Sequence, residues 1–438
     1  VTYDVEAFAA TLDGDPQSNS IIFARLTARN TTDEPRPAAT GVTTRFLADD
    51  HRFRYLQQFP FSPKWKYEMT GDSFFRDGKL VLVYPEGLLR ESVFGDEYEK
   101  PFTGEEKKIT ARCETGFVRT QKELTPGEEL VLDFKMPVVP VSGEDEEQIA
   151  AIKAAGYDDY RARTKKIWKD RLAKGVQFSI PEEKVQAAHR ASLMYPLQAI
   201  WQRDGYWMQG VNKFQYRGFW LRDGAYIIHT YDVLGHHDIA EKVLEVYPTY
   251  QKENGLFQSQ EGQLDGFGQA LYALGQHAIM TGDAEYAKKI FPMFGPAVDW
   301  LKKARDEDEY GLMPPTHTWD NELLDGRYTG HNFWALLGLR TAIRVAGMAG
   351  EDEQAAAWME EYEEYEKTFL SRLQELTGDD GYIPPGLDVE GGQDWGNLIG
   401  AFPAEVLDPS DPRLKTTTDK MHEEKFRAGL MTYRWGLP

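Results

Sequence analysis

The chain has 438 residues, with 71 acidic and 50 basic side chains, for a formal charge of −21. A phosphate backbone or an anionic membrane surface selects a basic face, so this balance excludes nucleic acid and acidic lipid as expected partners. No run of about 18 apolar residues predicts a membrane span, and nothing after Val1 reads as a signal peptide. Cys113 stands alone, which rules out an intrachain disulfide and a cysteine-rich zinc site and leaves the compartment unknown.

Residues 1–140 read as β. Ile21–Ala28 alternates around an apolar face, Leu80–Tyr84 is a short apolar run, and Thr125-Pro126-Gly127 is a turn before Leu130–Phe134. Short strands punctuated by Gly, Pro and Asp predict an antiparallel sandwich. Residues 141–181 change period and read as a helical linker, acidic and solvated over 144–156 and basic over 160–174. Residues 182–438 read almost wholly as helix, over roughly 183–202, 224–235, 238–249, 266–281, 284–306, 330–348 and 352–376, with two shorter helices after 397.

That second part repeats itself. Gly235–Ala240, Gly282–Ala287 and Gly350–Ala355 each place a glycine after an apolar helix and acidic residues in the next first turn. This is the stop-and-restart signal of a tight helical hairpin. Long loops at about 203–223, 251–265, 308–329 and 377–397 alternate with the tight turns. In a ring of antiparallel hairpins the tight turns share one rim and the long loops the other. Loops of that length in a compact domain are commonly functional.

The loops carry one inventory: Trp207, Trp220, Arg222 and Asp223; Gln263 and Asp265; His317, Trp319, Asp320 and Glu322; then Asp394 and Trp395. Indole faces, amides, carboxylates and a guanidinium suit an uncharged polyhydroxylated ligand, whose hydroxyls take planar polar partners. Each residue also has a purely structural reading. Arg222-Asp223 serves equally as a helix-start ion pair, Asp320 and Glu322 as helix caps, Asp394 as an N-cap and His317 as a packed loop residue. His236-His237 falls in a tight turn on the opposite rim and reads as solvent-facing. No metal-ligand spacing and no phosphate loop is visible, so neither metal nor cofactor is expected.

Together, a sandwich, a linker and a toroid of hairpins resemble the six-hairpin (α/α)6 glycosidases. Phe219-Trp220-Leu221-Arg222-Asp223 resembles the Trp-x-Arg-Asp motif of the glucoamylase family, which implies sugar binding by Arg222 and Asp223. Gln263-Leu264-Asp265-Gly266 resembles that family's Gln-x-Asp-Gly segment. Trp319-Asp320-Asn321-Glu322 with Tyr328-Thr329 resembles its Trp-Glu-Glu segment and following Phe-Thr pair, with aspartate in the general-acid position. The resemblance therefore implies a glycoside hydrolase acting on an oligo- or polysaccharide, inverting, with Asp320 or Glu322 as the acid and Asp320 preferred.

Two carboxyl groups across the scissile bond are the usual requirement. About nine helices against twelve for a closed ring predict a toroid incomplete at the C-terminus, with the general base beyond residue 438; Glu390 or Asp394 substitutes if the chain is complete. Alternatives are a non-catalytic carbohydrate-binding protein and a disaccharide phosphorylase of similar architecture. A terpenoid-cyclase toroid is disfavoured by the polarity of the loops.

Overall fold

In the computed structural model, residues 1–15, 18–44, 66–93, 109–112, 115–212, 218–317, 323–427 and 429–431 are described. Cys113, Trp319, Asp320 and Glu322 lie outside them, as does the side chain of Trp395. The chain divides into two units, Val1–Ala173 and Lys174–Pro438.

The first unit contains β1 (Thr2–Thr11), β2 (Ser20–Arg29), β3 (Arg36–Thr44), β4 (Lys66–Met69), β5 (Ser73–Arg76), β6 (Lys79–Val83), β7 (Leu89–Val93), β8 (Ile109–Arg112), β9 (Thr115–Leu124), β10 (Glu129–Pro137) and β11 (Val141–Ser142). One antiparallel sheet runs β1-β2-β10-β6-β5-β4-β8 with β11 beside β6, and a second runs β3-β9-β7. The strand period sorts side chains to opposite faces. Leu132, Phe134, Met69, Phe74 and Val81 pack with Val118 of β9, so the two sheets share one core. Ile21 and Phe23 point the other way, into a cluster with Leu80, Ile152 and Tyr157. The last two belong to α1 (Glu146–Ala154) and α2 (Tyr157–Ala173). The acidic stretch read as a solvated linker helix therefore has a buried stripe: Ile152 is fully covered, although most of α1 is exposed. Phe23 stacks between Phe8 and Tyr160, at centroid distances of 5.2 and 4.9 Å.

The second unit opens with α3 (Glu183–Gln198) and then α4 (Leu221–Val233), α5 (His237–Leu244), α6 (Asp265–Thr281), α7 (Ala284–Asp306), α8 (Thr329–Ala349), α9 (Asp352–Thr377) and α10 (Pro412–Lys425). Three hairpins form its body: α4–α5, α6–α7 and α8–α9. Their turns hold Gly235, Gly282 and Gly350 at φ of +76°, +67° and +86°, the left-handed conformation that glycine adopts without a Cβ penalty. Asp283 caps α7 by accepting the Tyr286 N–H at 2.8 Å. Helices α6 and α8 are buried on nearly every side along most of their length, whereas α5, α7 and α9 each keep an exposed face. Helix α6 packs between α4 and α8.

The α6–α8 contact is set by backbone. A Cβ on Gly268 would lie 1.9 Å from the carbonyl oxygen of Trp334, and one on Gly338 would lie 2.9 Å from the Gly268 Cα.

Three expectations are corrected. The helix expected over 183–202 stops at Gln198, just past Pro196, because a hairpin of β12 (Ile200–Arg203) and β13 (Tyr206–Gln209) follows. Asp204-Gly205 forms its turn with φ of 53° and 85°, the pair of positive values a two-residue hairpin turn requires. Past residue 397 the described residues hold one helix, α10, rather than two. His236 is buried, not solvent-facing, because the ring packs where Gly175 has no side chain: a Cβ there would sit 2.5 Å from His236 Nε2.

Gly268→Ala should force α6 and α8 apart, since no rotamer relieves a clash with backbone. Denaturant unfolding should show a loss of about 3 kcal/mol, at the upper end of overpacking costs; Gly347→Ala, on α8 with open space around it, should cost nothing.

Candidate functional site

The tight turns follow the C-terminal ends of α4, α6 and α8, so the long connections all enter at the N-terminal ends of these helices. Hydrogen bonds stitch the four loops in sequence. Trp220 Nε1 donates to Gln260 Oε1 at 3.2 Å, and the Leu221 N–H to Ser259 Oγ at 3.0 Å. Thr316 Oγ1 donates to the Gly262 carbonyl at 2.8 Å. Arg327 joins the third loop to the fourth through Asp388, donating from Nη1 at 2.6 Å and from its backbone N–H at 2.8 Å. Tyr328 donates its hydroxyl to the Gln393 carbonyl at 2.6 Å. An antiparallel bridge between Thr316 and Gly326 closes the third loop at its base, on either side of residues 318–322.

Arg222 and Asp265 meet on this rim. Each stands in the first turn of its helix, where the helix dipole favours a carboxylate. Arg222 Nε donates to Asp265 Oδ2 at 2.6 Å, and Gln269, one turn along α6, donates to the same oxygen at 2.9 Å. Burial pushes the Asp265 carboxyl up, but the charges of Arg222 and His331 and the two hydrogen bonds outweigh it and hold the group below its ordinary value. Asp223 goes the opposite way: burial raises it, Arg222 offsets only part, and Asp265 adds to the rise. Two neighbouring aspartates are thus pushed apart in acidity by their surroundings.

Three buried acceptors of this cluster have no hydrogen-bond partner among the described residues: Asp265 Oδ1, Gln263 Oε1 and Gln269 Oε1. Buried acceptors are normally satisfied, so each calls for a donor. An alcohol hydroxyl or an ordered water meets that need.

The other predicted residues separate. Trp207 is half-buried on β13, opposite Gln202 in the hairpin register. Asp394 is buried in the fourth loop, where it accepts from Tyr382 and pairs with Lys425 of α10, with Asn397 Nδ2 at 3.4 Å from the same oxygen as Tyr382. It borders a cleft of about 590 Å³ whose lining also includes Asp388, Glu390, Lys420 and Lys425. Asp394 thus has its acceptor positions taken, whereas Glu390 is exposed. Sequence reasoning missed Gln269 and His331. Gln269 was legible as the i+4 neighbour of Asp265 on one helix face; His331 comes from α8 and has no local signal.

No family model matches the chain, and no curated protein matches it. Among solved structures, a bacterial glucoamylase in complex with acarbose is similar over 97% of this chain and 66% of its own, at 11% identity and a TM-score of 0.57. A rhamnosidase from Klebsiella oxytoca with rhamnose bound is similar over 96% of this chain and 80% of its own, at 12% identity and a TM-score of 0.45. An alpha-mannosidase of family GH92 from Bacteroides thetaiotaomicron matches over 86% and 52%, at 11% identity and 0.36. The glucoamylase likeness shows the fold: N-terminal antiparallel sheets and a body of helical hairpins, a glucoamylase-like architecture. The chain spans just under two thirds of that glucoamylase.

Asp265→Asn should remove the buried ion pair with Arg222 and cost about 3 kcal/mol. The acidity shift gives a second readout. A carboxylate held below its unfolded value of about 3.9 stabilises the fold above that pH and loses its contribution as pH falls. Unfolding measured from pH 7 down to pH 3 should therefore show a shallower fall for the variant than for the parent chain.

Proposed function

We propose that this protein is a glycoside hydrolase that cleaves O-glycosidic bonds of an oligo- or polysaccharide by acid and base catalysis, with inversion. One observation carries the reading: on a glucoamylase-like fold, the Arg222–Asp265 ion pair gathers with Gln263 and Gln269, and three buried acceptor oxygens of this group lack donors among the described residues. Sugar hydroxyls are donors of that kind, and a fixed guanidinium supplies the complementary donors for sugar oxygens.

Arg222, Asp223, Gln263 and Asp265 bind one sugar ring, Trp220 presents an indole beside it, and Gln269 holds the Asp265 carboxylate in place. Trp207, Trp319, Asp394 and Trp395 remain as sugar-binding assignments of the sequence motifs; the bonding of Asp394 favours a supporting role. Asp320 delivers the proton to the leaving oxygen, with Glu322 as its alternative. The acid must be protonated at working pH, which calls for a raised pKa. Water is activated by a second carboxylate. Of the two in the fourth loop, exposed Glu390 suits that task better than Asp394, whose oxygens are already engaged.

A panel of chromogenic glycosides and unmodified oligosaccharides tests the proposal. Turnover should appear on at least one glycoside, and Asp320→Asn should lower kcat by about 100- to 10,000-fold with KM little changed. Arg222→Ala should raise KM. Saturable oligosaccharide binding without release of sugar, at an affinity that Asp320→Asn leaves unchanged, would overturn the reading in favour of a binding protein. Turnover that requires phosphate would overturn it in favour of a phosphorylase.

A further inference from the structure

At the end of the second unit away from the loop rim, three side chains converge that no sequence spacing joins. Asp232 lies at the last turn of α4, His237 opens α5, and His277 comes from the last turns of α6. His237 Nδ1 and His277 Nδ1 each lie 2.8 Å from the same atom, Asp232 Oδ1. One ligand atom from each residue fits within a 4.8 Å cluster. Asp232 and His277 are almost fully buried and His237 is about half-exposed, which gives the cluster one solvent-facing side. The second Asp232 oxygen, Oδ2, is buried with no hydrogen-bond partner among the described residues.

We propose that Asp232, His237 and His277 form a binding site for a divalent transition metal of the zinc type. Two imidazole nitrogens and a carboxylate oxygen make a borderline-soft donor set that favours zinc over calcium or magnesium. The fourth position falls to water on the His237 side or to Asp232 Oδ2. In a tetrahedral zinc site, with metal–nitrogen bonds of about 2.0–2.1 Å, ligand atoms stand about 3.3 Å apart. The present spacing of 2.8 Å is that of imidazole N–H groups donating to the carboxylate. Seating the ion needs each imidazole–carboxylate spacing to widen by about half an ångström, with the ring protons on Nε2 so that both Nδ1 lone pairs face the metal. Its effect is structural. The ion ties the end of α4 to the start of α5 and to α6, at the end of the helix pair opposite Arg222 and Asp265.

None of the proposed sugar-binding residues takes part, so the two readings stand or fall separately. The test uses the full chain stripped with chelator and titrated with ZnCl2, read by calorimetry and by thermal unfolding, with CoCl2 as a spectroscopic probe. One equivalent of zinc should bind and raise Tm, and cobalt should give the visible absorption of a tetrahedral site. His237→Ala, chosen because its side chain is half-exposed and its loss leaves the core intact, should weaken zinc binding at least about 100-fold. Asp232→Asn, which keeps the shape and removes the charge, should also weaken it while circular dichroism reports an unchanged fold. The proposal is overturned if the parent chain binds less than one equivalent, if His237→Ala binds zinc as tightly as the parent, or if calcium competes on equal terms. Any of these would make the cluster a hydrogen-bonded His–Asp–His network only.

Discussion

The second unit depends on how closely α6 and α8 approach. Gly268 and Gly338 remove the side chains between them, so backbone rests on backbone. Steric repulsion rises within a few tenths of an ångström, and a gap of about 0.5–1 Å already forfeits a quarter to a half of the dispersion attraction, so a contact this close locks the axial register of the two helices. Asp265 and Gln269 ride on α6, one turn apart; His331 and Asn332 ride on α8. With register locked, His331 is held towards Asp265, and Asn332 ties the third loop to α9. It accepts the Met313 N–H at 3.0 Å and the Tyr365 hydroxyl at 2.8 Å, and donates to the Tyr328 carbonyl at 3.0 Å.

Parallel inner helices have a further consequence. Their N-terminal ends gather at one rim, so unsatisfied N–H groups and the positive ends of the dipoles gather with them. Such a rim tolerates carboxylates that burial would otherwise neutralise. Asp223 and Asp265 both occupy first turns there. Among the described residues Asp265, and not Asp223, gains an ion pair and two side-chain hydrogen bonds, and its pKa is lowered while that of Asp223 is raised. A site that needs one fixed anion and one easily protonated neighbour can be assembled from identical side chains in this way.

What could be read from the sequence follows from the range of each interaction. The hairpin turns were legible because Gly235, Gly282 and Gly350 and the acidic residues after them are local signals of local events. Locally the ion pair reads as Arg222 with Asp223 at a helix start; the observed partner, Asp265, stands at the start of α6 and is joined to Arg222 only by the fold. The β12–β13 hairpin was signalled by Asp204-Gly205, but the helical reading of 183–202 absorbed its first strand and the long loop at 203–223 its second. The burial of His236 was not legible at all, since it depends on a glycine 61 positions earlier, Gly175, meeting the ring in space. The tie of Asp394 to Lys425 is of the same kind: two residues in different elements, each ordinary in its own neighbourhood.

The cluster at Asp232 belongs to this last class, and its position gives it a mechanical meaning. Ten residues separate Arg222 from Asp232 along α4, about 15 Å, and twelve separate Asp265 from His277 along α6, about 18 Å. Helices α4 and α6 are therefore tied by charged or polar contacts at both ends. A single tie leaves a helix pair free to splay about it; two ties at opposite ends remove that freedom. At the rim, the Arg222–Asp265 contact must hold its geometry to about half an ångström to present Asp265 Oδ1 to a ligand. A firm attachment at the far end, whether by imidazole donors or by a metal ion, supports that precision without placing any group in the ligand's path.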